Sequence, residues 1–222
     1  IFKPKVNLKK NFKVQIIRSI LMVTATSFMF YSLQKFDLVD IYVVFFTAPL
    51  IVSLLSAYFL KDILSTKGIL LMLLSFGSIV YSLGPSMRIF SLDLIFPIVP
   101  PICWALYQFF TKVVSGDNDP FAAIFYTSIL GAIIFSIFIF FNWVPLEKNI
   151  FWLYLVILGV AGFVSHSLII YAIQLSNLSF VTNFQYSQLV WSTIINFLIF
   201  GVPFDYNNCL LYTSDAADDT DS

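Results

Sequence analysis

Polar side chains recur at helical spacing within apolar surroundings, and their types define the chemistry available. Trp104, Tyr107, Gln108 and Thr111 follow i, i+3, i+4, i+7 and so share one helical face. Gln185, Gln188 and Ser192 form a second stripe, flanked by Asn183, Trp191 and Asn196. Ser27 and Tyr31 share a spacing with Ser167 and Tyr171. His166 is the one histidine and lies in a long apolar stretch, and an unperturbed imidazole titrates near neutral pH. Amides, phenols and indoles on apolar faces are binding chemistry, suited to an amphipathic or uncharged small metabolite. The same residues also serve as interhelical hydrogen-bonding glue, and a lone His as a neutral partner for a neighbouring helix.

Covalent chemistry finds no comparable constellation. There is no HExxH and no GxxxxGK[ST] motif. Ser165, His166 and Ser167 are adjacent, and adjacent residues on a helix do not face each other. Cys103 and Cys209 have neither CxxC nor Cys/His metal spacing. No catalytic residue, metal or cofactor is expected.

The elements that must carry these stripes follow from composition. The 222 residues are 59% hydrophobic, 18% aromatic with 26 Phe, and 11% charged, against about 25% charged in a soluble domain. No soluble core of this size hides so much apolar surface. Seven stretches are long enough to cross a hydrocarbon layer that needs about 20 helical residues: 15–34, 39–60, 67–84, 94–114, 120–142, 151–174 and 178–200. They lack the period-two alternation of a membrane barrel, so an all-α integral membrane protein is expected. Asp37, Asp40 and Asp93 lie at span ends, and Arg18 is expected to snorkel to the interface. Pro49, Pro100 and Pro101 are expected to interrupt helices, freeing carbonyls for a pathway or permitting a gating bend.

Charge placement orients the spans. Residues 1–13 form a basic segment, and Lys3, Lys5, Lys9, Lys10, Lys13, Arg18, Lys61, Lys67 and Lys112 fall on one side of the membrane. Lys35, Arg88 and Lys148 fall on the other, so the basic N-terminal segment is expected in the cytoplasm. The start at Ile1 reads as the middle of a longer protein. Residues 209–222, beginning Cys-Leu-Leu-Tyr-Thr-Ser-Asp-Ala-Ala-Asp, resemble a translated short-read library adapter and are expected to be an artefact. Without them residues 1–208 carry twelve basic and eight acidic residues, a net charge of +4. That modest excess gives no sign of a nucleic-acid partner.

Spans one and two superimpose without a gap on spans six and seven at an offset of 140 residues, placing Ser27, Tyr31 and Gln34 on Ser167, Tyr171 and Gln174, and Thr47 on Ser187. Five helices separate equivalent elements, so these run in opposite directions, the inverted topology common in secondary transporters. Asp37 and Asn177, also equivalent, are candidate helix N-caps.

The run from Arg18 to Pro85, with Tyr31-Ser32-Leu33, Phe46-Thr47-Ala48-Pro49-Leu50 and Lys61-Asp62, resembles helices three to five of an EamA-type member of the drug/metabolite transporter superfamily. Cys103-Trp104-Ala105-Leu106-Tyr107-Gln108, Asp119-Pro120-Phe121 and Phe125-Tyr126-Thr127 resemble helices six and seven. The resemblance implies a ten-helix fold of two inverted five-helix EamA repeats, here without the first two helices and the last. Residues 14–84 would hold the end of the first repeat, 85–92 the inter-repeat loop and 93–208 four helices of the second. Where the family often has Gly-Glu after its fourth helix, this chain has Lys61-Asp62, with Gly201-Val202 as counterpart. The implied function is a secondary transporter, in the exporting direction, of a small organic metabolite across a bacterial inner membrane. Its partners would be the metabolite, the lipid bilayer and, as one option, a second copy of the chain. A seven-helix receptor and an intramembrane enzyme are the competing readings. A retinal receptor would need a Lys in its last span, and 178–200 has none.

Overall fold

A computed structural model describes residues 11–36, 38–62, 69–70, 73–74, 76–77, 95–115, 120–141, 148 and 150–200. Most of the expected third span, the caps and acids at Asp37 and Asp93, the loop pair Gly201-Val202 and the tail from Cys209 lie outside these residues. So do the side chains of Asp40, Ser192 and Asn196, although their backbones are helical.

All regular structure among the described residues is helical. Helix α1 is Phe12–Ser32, followed by α2 at Leu38–Phe45 and α3 at Ala48–Leu55, which ends in a π-helical turn at Ser56–Leu60. Then come α4 at Ile95–Val113, α5 at Pro120–Phe141 and α6 at Ile150–Leu175. Helix α7 is Leu178–Asn183, a 3₁₀ turn covers Phe184–Tyr186, and α8 is Ser187–Phe200. Among the described residues α1, α5 and α6 are each long and apolar enough to cross a bilayer, with all backbone polar groups of their interiors satisfied within the helix, as hydrocarbon demands.

The expected second and seventh spans are each broken. Pro49 has no N–H to offer the carbonyl of Phe45 and its ring crowds that carbonyl, so α2 ends at Phe45 and α3 restarts with Pro49 in its first turn, where a missing N–H costs nothing. Thr47 closes the gap by donating its hydroxyl to the Val44 carbonyl at 2.6 Å. In the seventh span Ser187 donates to the Phe184 carbonyl at 2.6 Å, across the 3₁₀ turn. Pro100 and Pro101, by contrast, do not end a helix: α4 runs through both, and both are buried.

Contacts divide the chain into two units, residues Ile1–Val23 with Leu106–Asn177, and Thr24–Ala105 with Leu178–Ser222. In the first unit α5 packs on α6, with Ala123, Ile124 and Ile170 forming a buried cluster. Gly131 faces the Val23 methyl, 3.9 Å from where a Cβ would stand. In the second unit α3 packs on α7. Ala48, Pro49, Val52 and Ser53 are buried on one side, and Leu178, Ser179 and Thr182 on the other. Small side chains at i, i+4 spacing let two helix backbones approach closely where lipid offers no hydrophobic drive.

Candidate functional site

The first unit gathers a polar cluster around Arg18. This residue does not reach an interface: it is 0% exposed. Its Nη1 donates to Thr111 Oγ1 at 3.0 Å, and its Nη2 donates to the Ala123 carbonyl and to Thr127 Oγ1, the latter at 3.0 Å. The snorkelling expectation fails because these acceptors lie on α4 and α5, so the side chain is satisfied by turning inward. The threonines are set up to receive it. Thr111 donates its own proton to the Tyr107 carbonyl at 2.6 Å and Thr127 donates to the Ala123 carbonyl at 2.9 Å. With each hydroxyl proton committed to its own helix, the lone pairs face the guanidinium.

Tyr107 supplies its ring, with the Arg18 guanidinium carbon 5.1 Å from the centroid. A desolvated cation over an aromatic face is worth about 2 kcal/mol. Gln15, one turn before Arg18 on α1, and Gln108, next to Tyr107 on α4, are fully buried as well. Ser19 donates to the Gln15 carbonyl at 2.8 Å, in the same stripe.

Two further charges in the chain meet helix ends. In the first unit the Lys112 ammonium donates to the carbonyls of Ile173 at 2.9 Å and Ser176 at 2.7 Å, where α6 leaves carbonyls without an intrahelical donor. In the second unit Asp62 Oδ2 accepts from the Leu178 amide at 3.2 Å and from the Ser56 hydroxyl at 2.5 Å. Asn177 stands just before α7 and is exposed. The α7 amide bonded here is taken by a carboxylate 116 residues earlier in the chain. Lys61 adopts φ 55° to terminate the preceding turn, the left-handed conformation that favours glycine. The Lys61-Asp62 pair therefore has a structural use: the first residue makes the turn and the second caps another helix.

The stripes expected from sequence are divided between the units. Tyr107, Gln108 and Thr111 belong to the Arg18 cluster, whereas Trp104 is half-buried with its ring 6.1 Å from that of Phe45 in the second unit. His166 is half-buried on the face of α6 that also carries the buried Ile170 and Ile173. Its neighbours Ser165 and Ser167 donate to the Gly162 and Phe163 carbonyls of their own helix. Asn183 at the end of α7 and Gln185 in the 3₁₀ turn are half-buried, and on α8 Gln188 is exposed and Trp191 is 61% exposed. Sequence reasoning missed Gln15, Ser19 and Thr127. The signal that could have found them is the Gln15-Arg18-Ser19 spacing, one polar face at the start of an apolar helix.

Where the two breaks fall, Phe46 and Tyr186 meet. Their rings stack with centroids 5.8 Å apart and planes inclined by 22°, and the Tyr186 hydroxyl donates to the Phe46 carbonyl at 3.1 Å, in a buried setting. The break frees polar backbone that a second broken helix then satisfies.

Three helices that are long and apolar enough to cross a bilayer, among described residues whose regular structure is all helical, define a multi-pass helical membrane protein. The chain belongs to the EamA-like transporter family of the drug/metabolite transporter superfamily, whose model matches residues 1–84 and 92–211. The second match runs three residues past the boundary expected at 208. No curated protein matches the chain. A crystal structure of a protein superimposes with a TM-score of 0.76 at 15% sequence identity, covering 97% of this chain and 80% of that one. At that identity the likeness shows the fold.

Proposed function

We propose that the chain carries seven spans of a ten-helix secondary transporter, built from two inverted five-helix repeats, that moves a small organic metabolite outward by alternating access. The observation that carries this reading is the contact between Phe46 and Tyr186. They are 140 residues apart, which is the offset that superimposes the first two spans on the last two. A residue beside a two-fold axis touches its own equivalent, so a repeat related by such an axis in the membrane plane brings these two together. Thr47 and Ser187 are equivalent under the same offset, and so are the Val44 and Phe184 carbonyls to which they donate. Paired discontinuous helices near a repeat axis are where secondary transporters bind substrate.

In this reading the basic N-terminal segment, Lys61, Lys67 and Lys112 face the cytoplasm of a bacterial inner membrane. Trp104 and the amides of residues 183–196 line the pathway on the second unit, and Pro49 marks its bend. Reconstitution in proteoliposomes with labelled amino acids, nucleosides and amines tests it. The expected result is saturable flux of at least one substrate, accelerated by unlabelled substrate on the far side. Flux that ignores the far side, or none for any substrate, would count against a carrier.

A further inference from the structure

The Arg18 cluster holds more hydrogen-bonding capacity than its protein partners use. Gln15, Arg18 and Gln108 are each 0% exposed, yet both amide atoms of Gln15, both of Gln108 and the Nε of Arg18 have no partner among the described residues. Native interiors pair at least about 90% of such groups, and clustered exceptions call for an explanation. These five atoms lie on two helices of one unit, at i, i+3 on α1 and beside Tyr107 on α4. The guanidinium is charged, and every partner given it by the described residues is neutral: two threonine hydroxyls, one carbonyl and a phenol ring. Thr111, Thr127 and the Ala123 carbonyl hold both terminal nitrogens, so the plane is fixed and the Nε–H remains as one donor without a partner among the described residues. That donor suits one oxygen of an oxyanion, and a planar cation held in place loses little entropy on binding one.

We propose that this cluster recognises the oxyanion of a small organic acid, a carboxylate or phosphoryl group. Arg18 Nε and the glutamine Nε2 atoms donate to the oxyanion, and the glutamine Oε1 atoms accept from hydroxyl or amino groups on the same molecule. Taking that acid to be the transported substrate rests on the transporter reading above; the binding chemistry does not. The anion supplies the counter-charge, and the amides supply the selectivity for a polar neighbour on the ligand.

The test is binding to the purified full chain in micelles, with short carboxylates, phosphate monoesters and uncharged amide and alcohol analogues of the same size as probes. The acids bind and raise the unfolding temperature, the neutral analogues do not, and whichever acid series binds names the group. Gln15→Leu and Gln108→Leu remove unpaired buried amides, so each raises the unfolding temperature of the ligand-free protein while weakening acid binding by about tenfold, the loss of one bond to a charged group. Arg18→Lys keeps the charge without the planar fork and weakens binding further. A cluster with a purely structural role gives the reverse: lower unfolding temperatures for the leucine variants and no acid binding to change. Equal affinity for acids and their neutral analogues also overturns the proposal. Flux of uncharged metabolites without acid binding would overturn this inference and leave the transporter reading standing, whereas acid binding without flux would do the opposite.

Discussion

Replacing Asp62 tests whether a carboxylate at the end of the π-helical turn holds the start of α7. Asp62 Oδ2 accepts from the Leu178 amide at 3.2 Å and the Ser56 hydroxyl at 2.5 Å. Hydrogen bonds to an ionised acceptor are worth about 1.5–3 kcal/mol each, and a carboxylate at a helix N-terminus adds about 0.3–1 kcal/mol through the helix dipole. Asp62 is half-exposed, so water replaces part of what is lost, and the longer bond to Leu178 falls at the weak end. Asp62→Ala should therefore cost about 2 kcal/mol. Asp62→Asn keeps one acceptor oxygen and should cost about 1 kcal/mol, mostly the charge. Hydrogen exchange along Leu178–Asn183 reads the effect locally, because opening of that turn exposes its amides. A 2 kcal/mol loss accelerates exchange there by about thirtyfold for the alanine variant, and a 1 kcal/mol loss by about fivefold for asparagine. Equal exchange in both variants and the unsubstituted chain, or acceleration spread evenly over all helices, would refute the capping role.

Other substitutions probe the crossing and the turns. Tyr186→Phe keeps the ring stacked on Phe46 and removes only the bond to its carbonyl, so stability in micelles should fall by about 1 kcal/mol and transport should slow. Lys61→Gly relieves the left-handed backbone at φ 55° and should raise the unfolding midpoint, by about 1 kcal/mol in free energy. Pro49→Ala restores a donor for the Phe45 carbonyl and favours a continuous α2–α3, which should reduce transport. Unchanged transport would refute a gating bend at Pro49.

Much of the helix layout can be read from apolar length alone, since lipid leaves a chain of this composition one way to satisfy its backbone. The expected spans at 15–34, 94–114, 120–142 and 151–174 correspond to α1, α4, α5 and α6 to within a few residues at each end. The break before Pro49 has a residue that announces it. The break at Phe184–Tyr186 has none: no proline lies within it or in α8, and the residue it meets, Phe46, is 140 positions away. Arg18 shows the other limit. Hydropathy gives the depth of a cation along a helix but not the direction of its side chain. Its partners Thr111 and Thr127 lie 93 and 109 residues away, and only the packing of α1 against α4 and α5 makes inward the cheaper direction. Asp62 was likewise silent because its use depends on where α7 begins.

Alternation between two repeats is tested most directly by distances measured at both ends of the spans. The topology expected from charge placement puts Tyr58 and Leu175 on the cytoplasmic side and Phe30 and Phe141 on the other, and all four are exposed. With Cys103 and Cys209 replaced by Ser, spin labels at Tyr58→Cys and Leu175→Cys test one side, and labels at Phe30→Cys and Phe141→Cys the other. The account predicts that adding a transported substrate shifts the two distance distributions in opposite directions, one end closing as the other opens. Distances that stay fixed at both ends, or move together, would contradict it.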